Sequence, residues 1–145
     1  MVALTSDRNT PQSLGDIRQG PVAAAQLIFA GALVMRNASG NLVKATAATG
    51  LVGVGRAEGR IDNSAGAAGD AQLRFRPGTF RFANSTAADA ITEADIGAVC
   101  YAVDDQTVAK TNGTNTRSPA GLIDMVDSSG VWVRIDAALT KAALS

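Results

Sequence analysis

The 145-residue chain contains no histidine, and its single thiol is that of Cys100. Histidine is the usual proton carrier of catalytic sites near neutral pH, and a serine or cysteine nucleophile usually needs such a base beside it. Cys100 lies in the apolar run 98–103 with no second cysteine in the chain, which is typical of a buried small hydrophobic residue. The sequence therefore predicts that the protein is not an enzyme.

Carboxylates are scattered, and the only two acidic residues that adjoin are Asp104 and Asp105. A divalent metal needs several oxygen ligands brought together, and the spacing of the other acidic residues matches no metal-binding loop. We expect the pair to form a solvated hairpin tip, and we expect no metal and no cofactor. A small hydrolase built on this pair is the weakest of three functional hypotheses.

The chain also lacks an excess of either charge, because 13 Lys and Arg residues match 13 Asp and Glu residues. The basic residues are scattered, whereas nucleic-acid binders concentrate them on one face. The most apolar segment, residues 22–35, is shorter than the roughly 20 residues that span a bilayer, and the N-terminus has no basic stretch followed by an apolar core. The sequence predicts no nucleic-acid partner, no membrane partner and synthesis in a cytoplasm.

Short apolar runs rich in β-branched and aromatic residues are abundant, and clusters of Gly, Asn, Asp and Ser separate them. This alternation is typical of antiparallel β-structure. The sequence predicts an all-β fold, a single-domain antiparallel β-sandwich or barrel, with a loop over residues 58–69. The predicted strands cover residues 27–36, which a break at Gly31 would divide, 42–45, 51–55, 71–76, a run through Phe80 and Phe82, 98–103, 107–110, 122–126 and 131–136.

Several local signals refine this prediction. Residues 37–41 predict a hairpin loop and residues 127–130 a type I turn. Residues 92–97 predict a short helical turn, with Thr92 as N-cap and Gly97 at its end. The glycines of residues 53–55 indicate a bend or the close approach of another backbone. The aromatic residues predicted to anchor a one-sided core are Phe75, Phe80 and Phe82.

The first 20 residues differ from the rest, because turn-forming residues interrupt any regular period. Apolar side chains recur sparsely among them, at Leu4, Leu14 and Ile17, and a purely solvated tail has less need of them. Fully extended, such a segment reaches roughly 60–65 Å. We interpret it as an extended N-terminal arm, the alternative being a frayed terminus without function. The predicted divisions of the chain are the arm at residues 1–20, a β-domain at 21–137 and a C-terminal tail at 138–145.

Two groups of residues are candidates for contact with other protein. Trp132 lies on the opposite side of its predicted strand from Val131 and Val133, so it belongs either to a second buried face or to a subunit contact, where tryptophan is enriched. Arg134 shares the side of Trp132. The arm residues predicted to contact a partner or a second subunit are Leu4, Arg8, Leu14, Ile17 and Arg18.

A weak internal similarity relates two parts of the chain that lie 66 positions apart. Residues 31–34 parallel residues 97–100, and Lys44 corresponds to Lys110. Two hairpins formed under the same constraints explain this about as well as a duplication does. Either explanation predicts a domain made of two hairpin-rich halves.

Several glycine-led segments together resemble those of a bacteriophage family. They are residues 30–34, 50–55 and 97–104, followed by the closing Val-Trp-Val-Arg run at residues 131–134. In the order of these segments the chain resembles the small capsid-decorating, or cement, proteins of tailed phages and prophages. The similarity runs from about Ala24 to Asp136 and does not include the arm.

The resemblance implies a β-sandwich or barrel that is made in the host cytoplasm and assembles as a small symmetric oligomer, commonly a trimer, on the outer surface of the virion capsid. It implies binding at junctions between major capsid proteins and no catalytic residues. By analogy, the arm would pair with strand edges of neighbouring subunits. The second hypothesis is a receptor- or carbohydrate-binding module of a phage fibre or surface protein, although only 4% of the residues are aromatic and could stack on sugars.

Overall fold

The computed structural model describes residues 2–145 and confirms the predicted all-β class, with 40% of the residues in strands and 9% in helices. Met1, the first residue of the predicted arm, lies outside the described residues. The strands are β1 (Arg18–Pro21), β2 (Gln26–Ile28), β3 (Leu33–Arg36), β4 (Leu42–Lys44), β5 (Val52–Ala57), β6 (Ile61–Asn63), β7 (Gln72–Arg76), β8 (Gly78–Phe82), β9 (Val99–Ala102), β10 (Val108–Ala109), β11 (Pro119–Asp127) and β12 (Gly130–Ile135). The helical elements are 3₁₀ turns at Ala87–Asp89 and Glu93–Asp95 and one α-helix, α1 (Ala137–Ala143).

Ten of these strands form two five-stranded antiparallel sheets, and β2 and β6 pair with each other. Sheet 1 has the strand order β1-β7-β5-β3-β4, and sheet 2 has the order β8-β12-β11-β9-β10. Each sheet curls until its ends meet in a parallel bridge, between Val22 and Leu42 in sheet 1 and between Ala83 and Thr107 in sheet 2. The domain is therefore a stack of two sheets, each of which is partly closed like a barrel.

The two sheets repeat one five-stranded arrangement. Strands β1, β7, β5, β3 and β4 of sheet 1 correspond in order to β8, β12, β11, β9 and β10 of sheet 2, and corresponding strands pair in the same register. Leu33 pairs with Arg56 in sheet 1, and Val99 pairs with Leu122 in sheet 2. Both residues of the second pair lie 66 positions after those of the first. The β3–β4 and β9–β10 hairpins keep the same offset. The weak sequence similarity at this spacing thus marks a structural repeat.

The repeat extends to an irregularity in the strand pairing. A shift in register, typical of a β-bulge, falls just before Gly55 in β5 and just before Gly121 in β11. The space that a side chain would need at these two glycines is filled by the carbonyl oxygens of Arg76 and Arg134, respectively. A bulge bends its strand, and glycine is needed where a neighbouring backbone comes this close. The close approach that the glycines of residues 53–55 predict is confirmed.

Sheet 1 is buried on both sides. Leu33 and Met35 of β3 belong to a core cluster shared with sheet 2, whereas Val34 between them belongs to a second cluster. The side of sheet 1 that carries Leu33 and Met35 is its front face, and the opposite side is its back face. On the front face, a Cβ atom added to Gly53 would overlap the carbonyl group of Ala120 in β11. The two sheets therefore meet backbone to backbone at the centre of the stack.

The back face of sheet 1 is closed by the chain itself. Leu42 and Leu73 pack there in one cluster with Ile28 of β2, and Ile61 of β6 packs against this cluster. The side of sheet 2 that points away from sheet 1 is called its outer face, and no strand of residues 2–145 covers it. Along β12 this face carries Trp132, which is half-buried, and Arg134, which is exposed. The stack is thus closed at one end and open at the other.

Two predictions about this region are wrong. Residues 58–69 do not form only a loop, because they contain β6, whose three residues include Asp62 and are too few to show an alternating pattern. Phe75, Phe80 and Phe82 do not share one core, because β7 belongs to sheet 1 and β8 to sheet 2. Phe75 packs behind sheet 1, and Phe82 packs between the sheets. The division at Gly31 is present, where a φ of 84° separates β2 from β3.

The hairpin loop predicted at residues 37–41 is confirmed, and a turn is present at residues 127–130, for which type I stays a prediction. The side chain of Asn37 accepts hydrogen bonds from the N–H groups of Ser39 and Asn41 at 3.0 and 2.9 Å, and Gly40 adopts a φ of 85°. These are the bonds and the left-handed conformation that such loops require. The hairpin turn at residues 127–130 joins β11 to β12.

The predicted helical turn and buried thiol are also present. Within residues 92–97, Thr92 and Asp95 form a capping box around the 3₁₀ turn. Cys100 is fully buried in the core shared by the two sheets, and this burial raises the pKa of its thiol to about 12. At neutral pH the thiol is therefore protonated and acts as an apolar core group.

Candidate functional site

The arm is the most exposed part of the described chain. Residues 2–17 form no strand or helix, and every one of them is exposed. Four of them carry large apolar side chains, whose exposed fractions are 90% for Val2, 73% for Leu4, 81% for Leu14 and 46% for Ile17. Because these apolar side chains stand exposed on an otherwise polar segment, the arm is a candidate surface for contact with other molecules.

The arm ends three residues earlier than the sequence predicts. β1 begins at Arg18 and pairs with β7, so residues 18–20 belong to sheet 1. Gly20 is buried, and a Cβ atom placed on it would lie 3.2 Å from the Leu42 side chain. The Arg-Gln-Gly-Pro sequence of β1 has no apolar alternation, which is why it gives no strand signal.

Polar contacts fix the point at which the arm leaves the domain. Arg18 donates hydrogen bonds to the carbonyl oxygens of Gly15 and Ile17, both at 3.1 Å. The carboxylate of Asp16 accepts a bond from Arg76 at 3.3 Å. The base of the arm is therefore held on sheet 1, and residues 2–14 extend from it.

The Asp16–Arg76 pair begins a row of charged groups that leads from the arm to sheet 2. Glu58 accepts hydrogen bonds from Arg56 at 2.8 Å and from Arg76 at 3.2 Å. The bond from Arg56, together with the charges of both arginines, holds the pKa of Glu58 below its usual value, so this carboxylate stays ionised at neutral pH. The guanidinium of Arg56 in turn lies over the ring of Phe80, 4.4 Å from its centre.

Phe80 lies in a groove along β8, the strand at one edge of sheet 2. β12 pairs with one side of β8. On the other side, the only β-bridge within residues 2–145 joins Ala83, just past the end of β8, to Thr107. The groove has a volume of about 320 Å³, and Gly31 is among the residues that line it. We call it the β8 groove. It is lined by the aromatic residues Phe80, Phe82 and Trp132 and by Arg56, Thr79 and Arg81.

A second depression, of about 380 Å³, adjoins the β8 groove, because both are lined by Gly31. Phe29 and Asp105 line this second depression. The ring of Phe29 is 50% exposed, and the guanidinium of Arg60 lies 5.4 Å from its centre. The two depressions together are lined by four of the chain's six aromatic residues. They form the main aromatic surface of the protein.

Trp132, the only tryptophan of the chain, is held in place on the outer face. Its indole N–H donates a hydrogen bond to Asp127 at 2.9 Å, and the guanidinium of Arg81 lies 5.7 Å from its ring centre. The bond from Trp132, followed by that from the N–H of Ser129, lowers the pKa of Asp127. The ring is half-buried at the groove wall and belongs to neither core cluster. A subunit contact through Trp132 stays a prediction.

We expect the fluorescence of Trp132 to report the protonation of Asp127. The depressed pKa means that the carboxylate bond contributes to stability above the unfolded-state pKa of Asp127 and is lost as the pH falls through the lower folded-state value. An acid titration should therefore change the emission at a pH below 3.8, the ordinary pKa of an aspartate. Asp127→Asn should abolish the transition, whereas Asn at the exposed Asp124 should leave it. A transition that survives Asp127→Asn would contradict this assignment.

The structure leaves the two predicted contact groups apart within one chain. The arm residues Leu4, Arg8 and Leu14 are exposed and belong to no strand or helix, and Arg18 lies in β1. Arg134 is exposed beside Thr79 on the outer face of sheet 2. Beside Trp132, the two adjoining depressions contain residues that the sequence did not predict as contact residues, namely Phe29, Arg56, Phe80 and Arg81. They come from three distant segments, and only the position of β8 at a sheet edge brings them together.

No protein-family model, curated protein or solved structure matches this chain. Within residues 2–145, no three histidine, cysteine, aspartate or glutamate side chains are placed to hold a metal ion. None of the helices in this part of the chain is both long and apolar enough to cross a membrane. The features from which a function can be argued are the arm and the β8 groove.

Proposed function

We propose that the protein is a structural virion protein that decorates a tailed-phage capsid. It stabilises the capsid by binding at junctions between major capsid proteins, on the outer surface and as a small oligomer. The observation that carries this proposal is the arm, in which four large apolar side chains stand exposed on a segment anchored to a folded domain. The order of the glycine-led segments, in which the chain resembles phage cement proteins, supplies the capsid as the partner.

The energetics of the arm favour a protein that acts in many copies. Burying one of its large apolar side chains contributes about 2 kcal/mol, whereas ordering each residue of the backbone costs about 1–2 kcal/mol. For 16 residues the ordering cost exceeds the apolar gain, so one arm alone binds weakly unless it also forms backbone hydrogen bonds. Copies held side by side on a shell bind together, and their avidity offsets this weakness.

The domain itself is suited to a mechanical role. Its two sheets touch backbone to backbone at Gly53 and share one apolar core. Few long charged side chains have to be ordered when such a surface is covered, since only 18% of the residues are charged. A stack of this kind transmits load between its neighbours without rearranging.

We expect that deletion of residues 2–17 abolishes attachment to capsids and leaves the domain folded. The deletion ends before Arg18 because β1 pairs with β7 and is part of sheet 1. Heads of the encoding phage assembled without this protein would be mixed with each form and sedimented, and the bound fraction measured. Circular dichroism and the melting temperature would show that the truncated domain is intact.

A matched pair of full-length variants tests whether binding depends on the apolar side chains of the arm or only on the presence of the segment. Replacement of Leu4, Leu14 and Ile17 by serine should reduce binding at least tenfold, whereas alanine at the arm residues Thr5, Asn9 and Gln12 should not. Equal decoration by the serine variant would overturn the role of the arm. Labelled protein found only at tail tips would instead favour a receptor- or carbohydrate-binding module.

A further inference from the structure

We infer that the β8 groove and the depression beside it form a binding site for a neutral oligosaccharide. The second depression, lined by Phe29 and Asp105, is called the Phe29 depression. The site would act beside the proposed function and does not depend on it, because none of its residues belongs to the arm. Three features point to a sugar: the exposed aromatic rings, the polar side chains without partners and the local balance of charge.

The fold gathers aromatic rings that are scarce in the sequence. Only 4% of the residues are aromatic, yet four of the six line these two depressions. The ring of Phe29 is 50% exposed, and Phe80 and Trp132 are half-buried at the groove. A sugar ring has an apolar face of C–H groups, which packs on an aromatic ring, and an edge of hydroxyl groups, which stays free for hydrogen bonds.

The polar side chains of the Phe29 depression are free to bind a ligand. Asp105 and Gln106 line this depression, and within residues 2–145 neither the carboxylate nor the amide forms a hydrogen bond. A carboxylate accepts hydrogen bonds and an amide both donates and accepts them, so together they match adjacent hydroxyl groups of a sugar. An apolar ligand would bury the same groups without partners, which costs free energy.

The backbone of this site is held by hydrogen bonds to both halves of the domain. The carbonyl oxygen of Asp105 accepts a bond from Leu33 of β3 at 2.9 Å. The carbonyl oxygen of Gln106 accepts one from Ala83, just past β8, at 2.8 Å. A site that is fixed in this way loses little conformational entropy when a ligand binds.

The charges of the β8 groove are balanced within the protein. Arg56 donates a hydrogen bond to Glu58 at 2.8 Å. Besides the hydrogen bond from Trp132, which has the largest effect, the charge of Arg81 lowers the pKa of Asp127, so these two charges interact. The groove therefore lacks the uncompensated positive charge that attracts a polyanion or an acidic peptide.

The Phe29 depression has one charged group of each sign. The guanidinium of Arg60 lies over the Phe29 ring, and Asp105 is part of the lining. A ligand with a net charge of either sign would meet a like charge there, whereas a neutral ligand with an apolar face and many hydroxyl groups would not. Because Gly31 lines both depressions, one ligand of several sugar units can occupy both.

The first test titrates the full-length protein with neutral trisaccharides of glucose, galactose, mannose and N-acetylglucosamine. Calorimetry would measure the affinity, and the emission of Trp132, the only tryptophan, would report occupancy of the groove. We expect at least one trisaccharide to bind with a Kd of about 1 mM or below. The corresponding monosaccharide should bind at least tenfold more weakly, because it occupies only one depression. The trisaccharide of galacturonic acid, with a carboxylate on each unit, should bind at least tenfold more weakly than the neutral one.

The second test places the ligand with full-length variants. Phe29→Ala should weaken the binding of that trisaccharide at least tenfold, whereas Phe29→Tyr, which keeps an aromatic ring, should retain it. Ile96→Ala is the matched control, because Ile96 is 48% exposed and lines neither depression. Asp105→Ala should weaken binding at least fivefold, whereas alanine at the exposed Asp124 should leave it unchanged. The melting temperatures would show that each variant is folded.

Several results would overturn the inference. They are the absence of binding by every neutral trisaccharide up to its solubility limit, an affinity that Phe29→Ala and Asp105→Ala leave unchanged, or equally tight binding of the galacturonic acid trisaccharide. Attachment to heads separates this site from the proposed function. Phe29→Ala should bind heads as the wild-type chain does, and loss of head attachment in this variant would make the capsid protein, and not a sugar, the occupant of the site.

Discussion

Replacing Gly53 by alanine is expected to destabilise the protein by about 3 kcal/mol, the upper end of the usual range for overpacking. The added Cβ atom would lie 2.8 Å from the carbonyl carbon of Ala120 and would overlap the oxygen of the same group. Both atoms are backbone, so the clash cannot be relieved by turning a side chain. β5 and β11 would have to move apart, which would open the core between the sheets. The melting temperature should fall by roughly 10 °C.

Gly59 provides the matched control, because it lies two residues beyond the end of β5. A Cβ atom there meets no other atom within 4 Å, and its backbone is not left-handed. Gly59→Ala should change the free energy of unfolding by no more than about 0.5 kcal/mol. Alanine makes the unfolded chain less flexible, so the change should not be a loss of stability. Chemical denaturation of the three proteins would measure this difference. A loss at Gly53 no larger than that at Gly59 would contradict the close contact of the sheets.

The strands whose side chains alternate in the sequence were predictable, and those whose signal lies in the backbone were not. β12 alternates between buried residues such as Val131 and solvent-facing residues such as Arg134, and its period of two indicates a strand directly. β1 and β6 contain glycine, proline or adjacent polar residues, so neither shows a period. Their pairing with β7 and β2 comes from tertiary context, which no local pattern contains.

The separation of β7 from β8 shows a second limit. Pro77 and Gly78 between two alternating runs are typical of a turn within one sheet. In the structure Gly78 has a φ of 152°, and the chain crosses from sheet 1 to sheet 2 at this point. Whether the chain turns within one sheet or crosses to the other depends on the strands with which β7 and β8 pair. The β8 groove depends on this crossing, so the sequence could predict Trp132 as a contact residue but not its aromatic neighbours.

Only part of the internal repeat could be predicted from the sequence, because few residues are identical at positions 66 apart. Lys44 and Lys110 match, as do Gly55 and Gly121, but most core positions differ in size. Glycine persists at residues 55 and 121, where the backbone of the neighbouring strand fills the space of a side chain in both units. Apolar positions need only keep their volume in total, so they diverge.

The asymmetry of the stack leads to a second large expected effect, that of Leu33→Ala. Leu33 has no exposed surface and lies in the core shared by the two sheets, where truncation of a leucine leaves a cavity. We expect a loss of about 3–4 kcal/mol, within the range for buried leucines. The loss should be seen in urea denaturation as a lower midpoint with an unchanged slope, because the protein still unfolds as one unit.

Leu122→Ala is the same chemical change on the open side of the stack. Leu122 pairs with Val99, the equivalent of Leu33, and it is half-buried on the outer face of sheet 2. In protein dilute enough to be monomeric, we expect this change to cost about 1 kcal/mol, since the methyl groups are already partly hydrated. A loss as large as that at Leu33 would mean that the outer face is covered within a single chain. The front face of sheet 1 is a core surface and the outer face of sheet 2 is not, although both derive from the same position of one repeated unit.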